Sequence, residues 1–359
     1  MRTTLIRRIW ILGLIAAASA LAQLPAAKLQ KIEQLISSEM ARASVPGVSL
    51  AIATDGKIQW AGGFGMADLE NFVPMTANTR VRLASISKTI TAVAVMQLVE
   101  KGKIDLDAPI RRYVPEFPEQ QWPVTVRQVM THTAGIRAYR GTEMNSTTHY
   151  TDARSPMLVF SKDPVEFEPG TKYSYSTYGY TVLGAALETA AGQSMVDYFR
   201  EHIFIPAGMD TIRDDSVHAI IPHRARGYQL RPNGVVENCE LSDTSNKIAG
   251  GGLISTASDL VKFALALHGG KLLKRETMDQ MFSAAVLRDG TKAPYGLGFE
   301  LREENGIRIV GHTGGQRGTQ TYLVTIPSKG IAFAYMMNLE ASTALMPIAR
   351  GLRAILLEP

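Results

Sequence analysis

Ser85 and Lys88 form the only Ser-x-x-Lys tetrapeptide in the chain. A serine hydroxyl becomes a nucleophile when a neighbouring group accepts its proton, and a lysine amine can do so once desolvation has made it neutral. Composition alone supplies about one such tetrapeptide in a chain of this length, so its setting carries more than its presence. Residues 80–84 read as a short strand and 85–100 as a helix ended by Gly102. The pair then lies one turn apart on one helical face, beside the unpaired N–H groups and positive dipole end of the helix start. The plainer reading is an N-cap serine with a solvated lysine.

Two further stretches could join that chemistry. Residues 172–180 crowd Tyr173, Tyr175, Tyr178 and Tyr180 behind Pro169-Gly170. Clustered tyrosines more often pack than react, because their rings bury large areas. Gly311-His312-Thr313-Gly314-Gly315 lies some 225 residues after Ser85. Glycines there allow close backbone approach, and exposed N–H groups can stabilise an oxyanion; the alternative is a glycine-rich turn. The other histidines are scattered, and His132, beside Thr133-Ala134-Gly135, reads as structural. No Gly-x-Ser-x-Gly, His-Glu-x-x-His or Gly-x-Gly-x-x-Gly motif is present, which leaves no support for an α/β-hydrolase elbow, a zinc protease or a nucleotide cofactor.

The elements that must position these residues come from both ends of the chain. Leu29, Ile32, Leu35, Ile36 and Met40 recur at helical spacing, stopped by Pro46-Gly47. Residues 47–54 and 57–63 read as a hairpin about Asp55-Gly56. Helices are expected at 125–130, 178–191, 256–267 and 343–357, and strands at 307–310, 320–326 and 331–337. The pattern predicts an α+β fold: one antiparallel sheet built from both termini, flanked by the N- and C-terminal helices (about 27–105 and 250–359), with a mostly helical insertion at about 106–249.

With 359 residues, 45% hydrophobic and 20% charged, the chain has an ordinary globular composition. Its single cysteine, Cys239, excludes an intrachain disulfide or a cysteine metal cluster. Residues 1–22 read as a signal peptide, with Arg2, Arg7 and Arg8 ahead of an apolar run and small residues. A retained anchor is the alternative, although the run is short for a membrane span. Removing those three arginines takes the formal charge from +5 to +2, which gives no electrostatic case for nucleic acid. The expected location is periplasmic or extracellular.

Taken together, Ser85-Ile86-Ser87-Lys88, Tyr175-Ser176-Thr177 and His312-Thr313-Gly314 resemble the three motifs of the penicillin-binding-protein-like serine hydrolases. That family includes class C β-lactamases, D-stereospecific peptidases, carboxylesterases and the mitochondrial β-lactamase-like protein of animals, to which the segments are nearest in look. Thr131 to Gly135, Pro169-Gly170, and Gly250 to Leu253 leading to Ser255-Thr256 resemble further landmarks, so the likeness spans nearly the whole mature chain.

The resemblance implies an acyl-enzyme on Ser85, with Lys88 and Tyr175 sharing the proton work. It implies an oxyanion hole from the backbone N–H groups of Ser85 and Gly315, and a substrate side lined by His312, Thr313, Gly314 and Thr177. Thr177 stands where the family has asparagine, and His312 where true β-lactamases have lysine, which lowers the expectation of antibiotic hydrolysis. The expected activity is cleavage of an amide or ester in a small-molecule or peptide substrate, by a peptidase or esterase, without metal or cofactor. The alternatives are a peptide-binding protein with negligible turnover and a filament-forming protein. The sequence leaves the oligomeric state open.

Overall fold

A computed structural model describes residues 24–358; the expected signal peptide at 1–22 lies outside them. Helix α1 (Ala26–Ala43) leads into strands β1 (Gly47–Thr54) and β2 (Lys57–Asp68). Their two-residue turn places Asp55 and Gly56 at φ 51° and 74°, the left-handed pair that a tight hairpin requires. Strands β3 (Val73–Pro74) and β4 (Val81–Arg82) precede helix α2 (Ser87–Glu100). Helices α3 (Val126–Met130) and α4 (Thr177–Ala191) follow, separated and trailed by long stretches of turns, short helices and the short paired stretches Arg213–Asp214, Tyr228–Leu230 and Val236–Asn238, so the expected mostly helical insertion is largely irregular. Strand β5 (Leu253–Ser255) then leads to helix α5 (Ala257–His268). Strands β6 (Glu300–Glu304), β7 (Ile307–Gln316), β8 (Thr319–Ile326) and β9 (Ile331–Met337) precede the final helix α6 (Leu345–Leu357).

The seven-stranded sheet has the order β3-β2-β1-β9-β8-β7-β6, and its neighbours pair antiparallel. The two halves of the chain meet at its centre, where Leu50 of β1 faces Tyr335 of β9. Both faces are covered, so β9 carries no charged residue and alternates by size instead. Phe333 and Tyr335 pack with Ile32, Ile36, Ile348 and Leu352 of α1 and α6. Ala332, Ala334 and Met336 face the larger core under α5 and α2. The small alanines let helix α5 approach the sheet closely. Helix α2 is buried from Ser87 to Leu98, as its apolar circumference dictates.

Two local features differ from the sequence reading. The Gly311–Gly315 stretch is the interior of β7, paired residue by residue with β8, and not a turn. The serine of the tetrapeptide sits in a single 3-10 turn, Ala84–Ile86, and the α-helix begins at Ser87. Of the expected 80–84 strand, Val81 and Arg82 pair with Ser255 and Ile254 of β5, and Arg80 makes a single bridge to Arg224.

Candidate active site

The turn that carries Ser85 is held from three sides. Leu83 donates its N–H to Leu253 O (2.8 Å), and its carbonyl accepts from Thr321 Oγ1 (2.8 Å). Ala84 then adopts φ 49°, a left-handed conformation that costs a non-glycine residue on the order of 1–3 kcal/mol. Strand β7 approaches so closely that a Cβ on Gly314 would lie 2.4 Å from Leu83 O and 2.2 Å from Thr321 Oγ1. Glycine at 314 is thus a steric requirement for bringing β7 against the turn that carries Ser85. Gly315, the next residue, is exposed and paired with Gln320, on the stretch of strand that runs past this turn.

Lys88 is fully buried. Its Nζ lies 2.6 Å from Gly250 O, 3.1 Å from Thr177 Oγ1 and 3.2 Å from Ser85 Oγ. Burial first, then the charge of Lys247, holds its amine well below the usual lysine range, against a smaller opposing pull from Glu300. A neutral amine has two N–H bonds and one lone pair. The two oxygens of Gly250 and Thr177 can take the N–H bonds, leaving the lone pair for the Ser85 hydroxyl. Close packing at Gly250, where a Cβ would sit 2.6 Å from Thr177 Cγ2, keeps that carbonyl within reach.

Tyr175 lies on the opposite side of Lys88, whose Nζ is 4.9 Å from the ring centroid; a second ring, Tyr180, is at 5.5 Å. Tyr175 keeps 36% of its surface exposed. Burial nevertheless raises its phenol well above the usual tyrosine range, and the neighbouring Ser85 hydroxyl pulls it back in part. Its ring joins an aromatic wall. His132 stacks on it at 4.2 Å, and Tyr295 meets His132 at 4.7 Å and Tyr175 at 6.3 Å.

His312 is only 1% exposed, and both ring nitrogens are engaged. Nδ1 lies 2.5 Å from Thr313 O, and Nε2 lies 2.8 Å from the Tyr295 hydroxyl. A carbonyl can only accept, so Nδ1 carries the hydrogen and Tyr295 donates to Nε2. Glu300 accepts from Thr313 N (3.1 Å) and Thr313 Oγ1 (2.5 Å) and lies 3.6 Å from His312 Nδ1. Burial pushes the Glu300 carboxyl up, but His312 and the two Thr313 bonds leave it below the ordinary value. Burial likewise keeps His312 below the usual imidazole range, although Glu300 pulls the other way.

Ser85, Lys88, Tyr175 and Thr177 therefore converge, and Gly314 presses directly on the turn that carries Ser85. His312 stands behind them and presents no free ring nitrogen, and Thr313 turns its hydroxyl to Glu300. Tyr295, Glu300 and Lys247 carry no signal in the sequence reading. Tyr295 lies in a Pro-Tyr-Gly-Leu-Gly run, whose paired glycines were the one available hint. Lys247 is buried, bonds Met144 O, and is held at about 8, chiefly by its burial. Among the described residues, no group of His, Cys, Asp and Glu side chains is placed to hold a metal ion, and no helix is long and apolar enough to cross a membrane.

A sequence profile of the family described as Beta-lactamase matches residues 32–358. The mitochondrial serine beta-lactamase-like protein LACTB of Homo sapiens is 29% identical over 379 residues, covering 79% of this chain and 69% of its own. Penicillin-binding protein 4* of Bacillus subtilis (strain 168) is 31% identical over 314 residues, covering 81% of this chain and 68% of its own. Among solved structures, D-amino acid amidase from Ochrobactrum anthropi SV3, complexed with D-phenylalanine, is similar with a TM-score of 0.80 at 28% identity. That likeness covers 92% of this chain and 99% of the amidase.

Proposed function

The chain belongs to the Beta-lactamase family of serine hydrolases, and on that footing we propose that it cleaves an amide or ester bond of a small, peptide-like substrate through an acyl-enzyme on Ser85. The observation that carries this reading is the buried Lys88 amine, 3.2 Å from Ser85 Oγ with its two other contacts to oxygens. Lys88 takes the hydroxyl proton as Oγ attacks the carbonyl carbon. The N–H groups of Ser85 and Gly315 receive the developing oxyanion, at about 3–4 kcal/mol per donor. Tyr175, protonated at rest, gives its proton to the leaving group and regains one from Lys88. Water then attacks the acyl-enzyme through the same groups in reverse.

A chemistry of amides has the stronger support, from the amidase whose whole length the chain matches. Hydrolysis of β-lactam antibiotics is secondary on this reading, because His312 supplies no ammonium for a substrate carboxylate. Thr177 spends its hydroxyl on Lys88 and does not extend an amide toward an acyl side chain. The arginines and apolar run before residue 23 support export to the periplasm or beyond.

The test is intact-mass spectrometry after exposure to a fluorescent penicillin and, separately, a fluorophosphonate, with peptide mapping of the adduct. Label on Ser85 is expected from both reagents, with only the penicillin adduct lost with time, and Ser85→Ala protein remains unlabelled at an unchanged melting temperature. A Ser85→Ala protein that still turns over substrate sinks the reading. A penicillin adduct stable for many hours, together with no turnover of amide or ester substrates, replaces the hydrolase with a binding protein.

A further inference from the structure

We propose that His132 is a positioning residue that holds the Tyr175 phenol on the line between Lys88 and the leaving group; the proposal rests on the reading of Tyr175 as the proton donor. Residues 172–176 belong to neither helix nor strand, so no regular ladder fixes the backbone of Tyr175. One residue grips it from both flanks instead. The His132 carbonyl accepts the N–H of Ser174 (2.9 Å), and His132 Nδ1 accepts the N–H of Ser176 (3.2 Å). Its ring also lies against the Tyr175 ring, centroids 4.2 Å apart. The neighbouring chain extends this rail, with Thr133 O accepting from Gly170 N and Gly135 O from Glu166 N, each at 2.8 Å.

The backbone at His132 adopts φ 59°, and the residue is 2% exposed. A buried left-handed histidine is an outlier that the surrounding structure must impose, and such outliers gather where a site is held in one geometry. Accepting from Ser176 requires Nδ1 to be unprotonated, which fixes the Nε2–H tautomer. Burial above all holds the ring well below the usual imidazole range, which favours the form able to accept.

The two labelling reagents separate positioning from general damage. Acylation by a penicillin requires a proton for the departing ring nitrogen, whereas a fluorophosphonate expels fluoride and needs none. His132→Gly relieves the left-handed backbone, keeps the carbonyl and removes the ring. It should slow penicillin acylation of Ser85 by about 10–100-fold, as a misplaced catalytic group does, with the fluorophosphonate rate changed by no more than about twofold. His132→Asn, which tolerates the same backbone and offers an oxygen to Ser176 N–H, should recover most of the loss. In a Tyr175→Phe background, His132→Gly should add no more than about a twofold further effect, since both changes act through one group.

Equal slowing with both reagents, or full additivity with Tyr175→Phe, overturns the proposal in favour of a merely structural histidine. Unchanged rates in His132→Gly overturn it as well. Wild-type protein whose Ser85 takes neither reagent refutes the nucleophile itself, and the role of His132 falls with it. If the fluorophosphonate alone labels Ser85, an activated amide takes the penicillin's place as the reagent whose departing nitrogen needs a proton, and the same variants decide.

Discussion

The two sides of the candidate site are built by different means. The Ser85–Lys88 side is local: three residues of separation and one helical turn bring hydroxyl and amine within 3.2 Å, and Gly250 and Thr177 complete the shell around the amine. The opposite side is a wall of rings from four distant segments, His132, Tyr175 with Tyr180, Tyr295 and His312, with centroids 4.2 to 6.3 Å apart. On the first side the chemistry depends on the protonation of one group, and on the second it depends on packing. A substitution on the Ser85 side should therefore abolish reaction without disturbing the fold, whereas one on the wall should cost stability and alter reaction only as far as it moves Tyr175.

The sharpest way to break that contrast is Lys88→Met, which keeps the apolar stem and removes the amine. Acylation of Ser85 should fall about 10³-fold, in the range that a positioned general base supplies. Circular dichroism should still report the native fold; a variant that acylates normally would move the base elsewhere.

The pH dependence sharpens the same point. Lys88 is held well below the ordinary lysine range by burial and by Lys247. The acylation rate should rise with pH as Lys88 loses its proton and level off below the usual lysine value of about 10.4. Because the folded value lies below the unfolded one, the unfolded chain binds more protons between them. Stability from this residue is therefore gained as pH rises toward the ordinary value, and lost as pH falls through the folded one. Stopped-flow acylation and chemical unfolding across pH would check both limbs, and a flat rate profile would exclude Lys88 as the titrating base.

Gly314→Ala tests the junction between the two sides. Its Cβ would meet Leu83 O at 2.4 Å, so β7 must retreat from the nucleophile turn. A destabilisation of about 1–3 kcal/mol is expected, with slower acylation beside it. Thermal unfolding and labelling rates measure the two, and a neutral outcome would show that the strand has room to spare. The smallest effect belongs to the wall's rear. Tyr295→Phe keeps the ring but leaves His312 Nε2 without its donor, at a cost of about 1–3 kcal/mol in stability. Acylation should change little, and a large kinetic loss would promote Tyr295 from support to chemistry.

The local parts of this arrangement could be read directly from the residues. Ser85 and Lys88 needed only helical geometry, and the Asp55-Gly56 hairpin only its turn chemistry. Strand alternation and helical spacing also indicated a sheet assembled from both termini, since amphipathic patterns appear at both ends of the chain. His312 is legible in its motif but not in its place. Nothing in Gly311–Gly315 says that it is strand interior, because glycines weaken the alternation that marks a strand. Glu300 and Tyr295 were silent because each acquires its partner only when β6 and the loop before it fold beside β7.

What the sequence alone determined is the set of reactive groups and the local geometry joining two of them, because i to i+3 spacing is a property of the helix. Tertiary structure decided which amine is held below its ordinary range, which histidine has both ring nitrogens engaged and which one grips the chain on either side of Tyr175. Those outcomes depend on desolvation and on hydrogen bonds between segments as far apart as His132 and Ser176, or Lys88 and Gly250. Neither quantity exists until the chain has closed around the site.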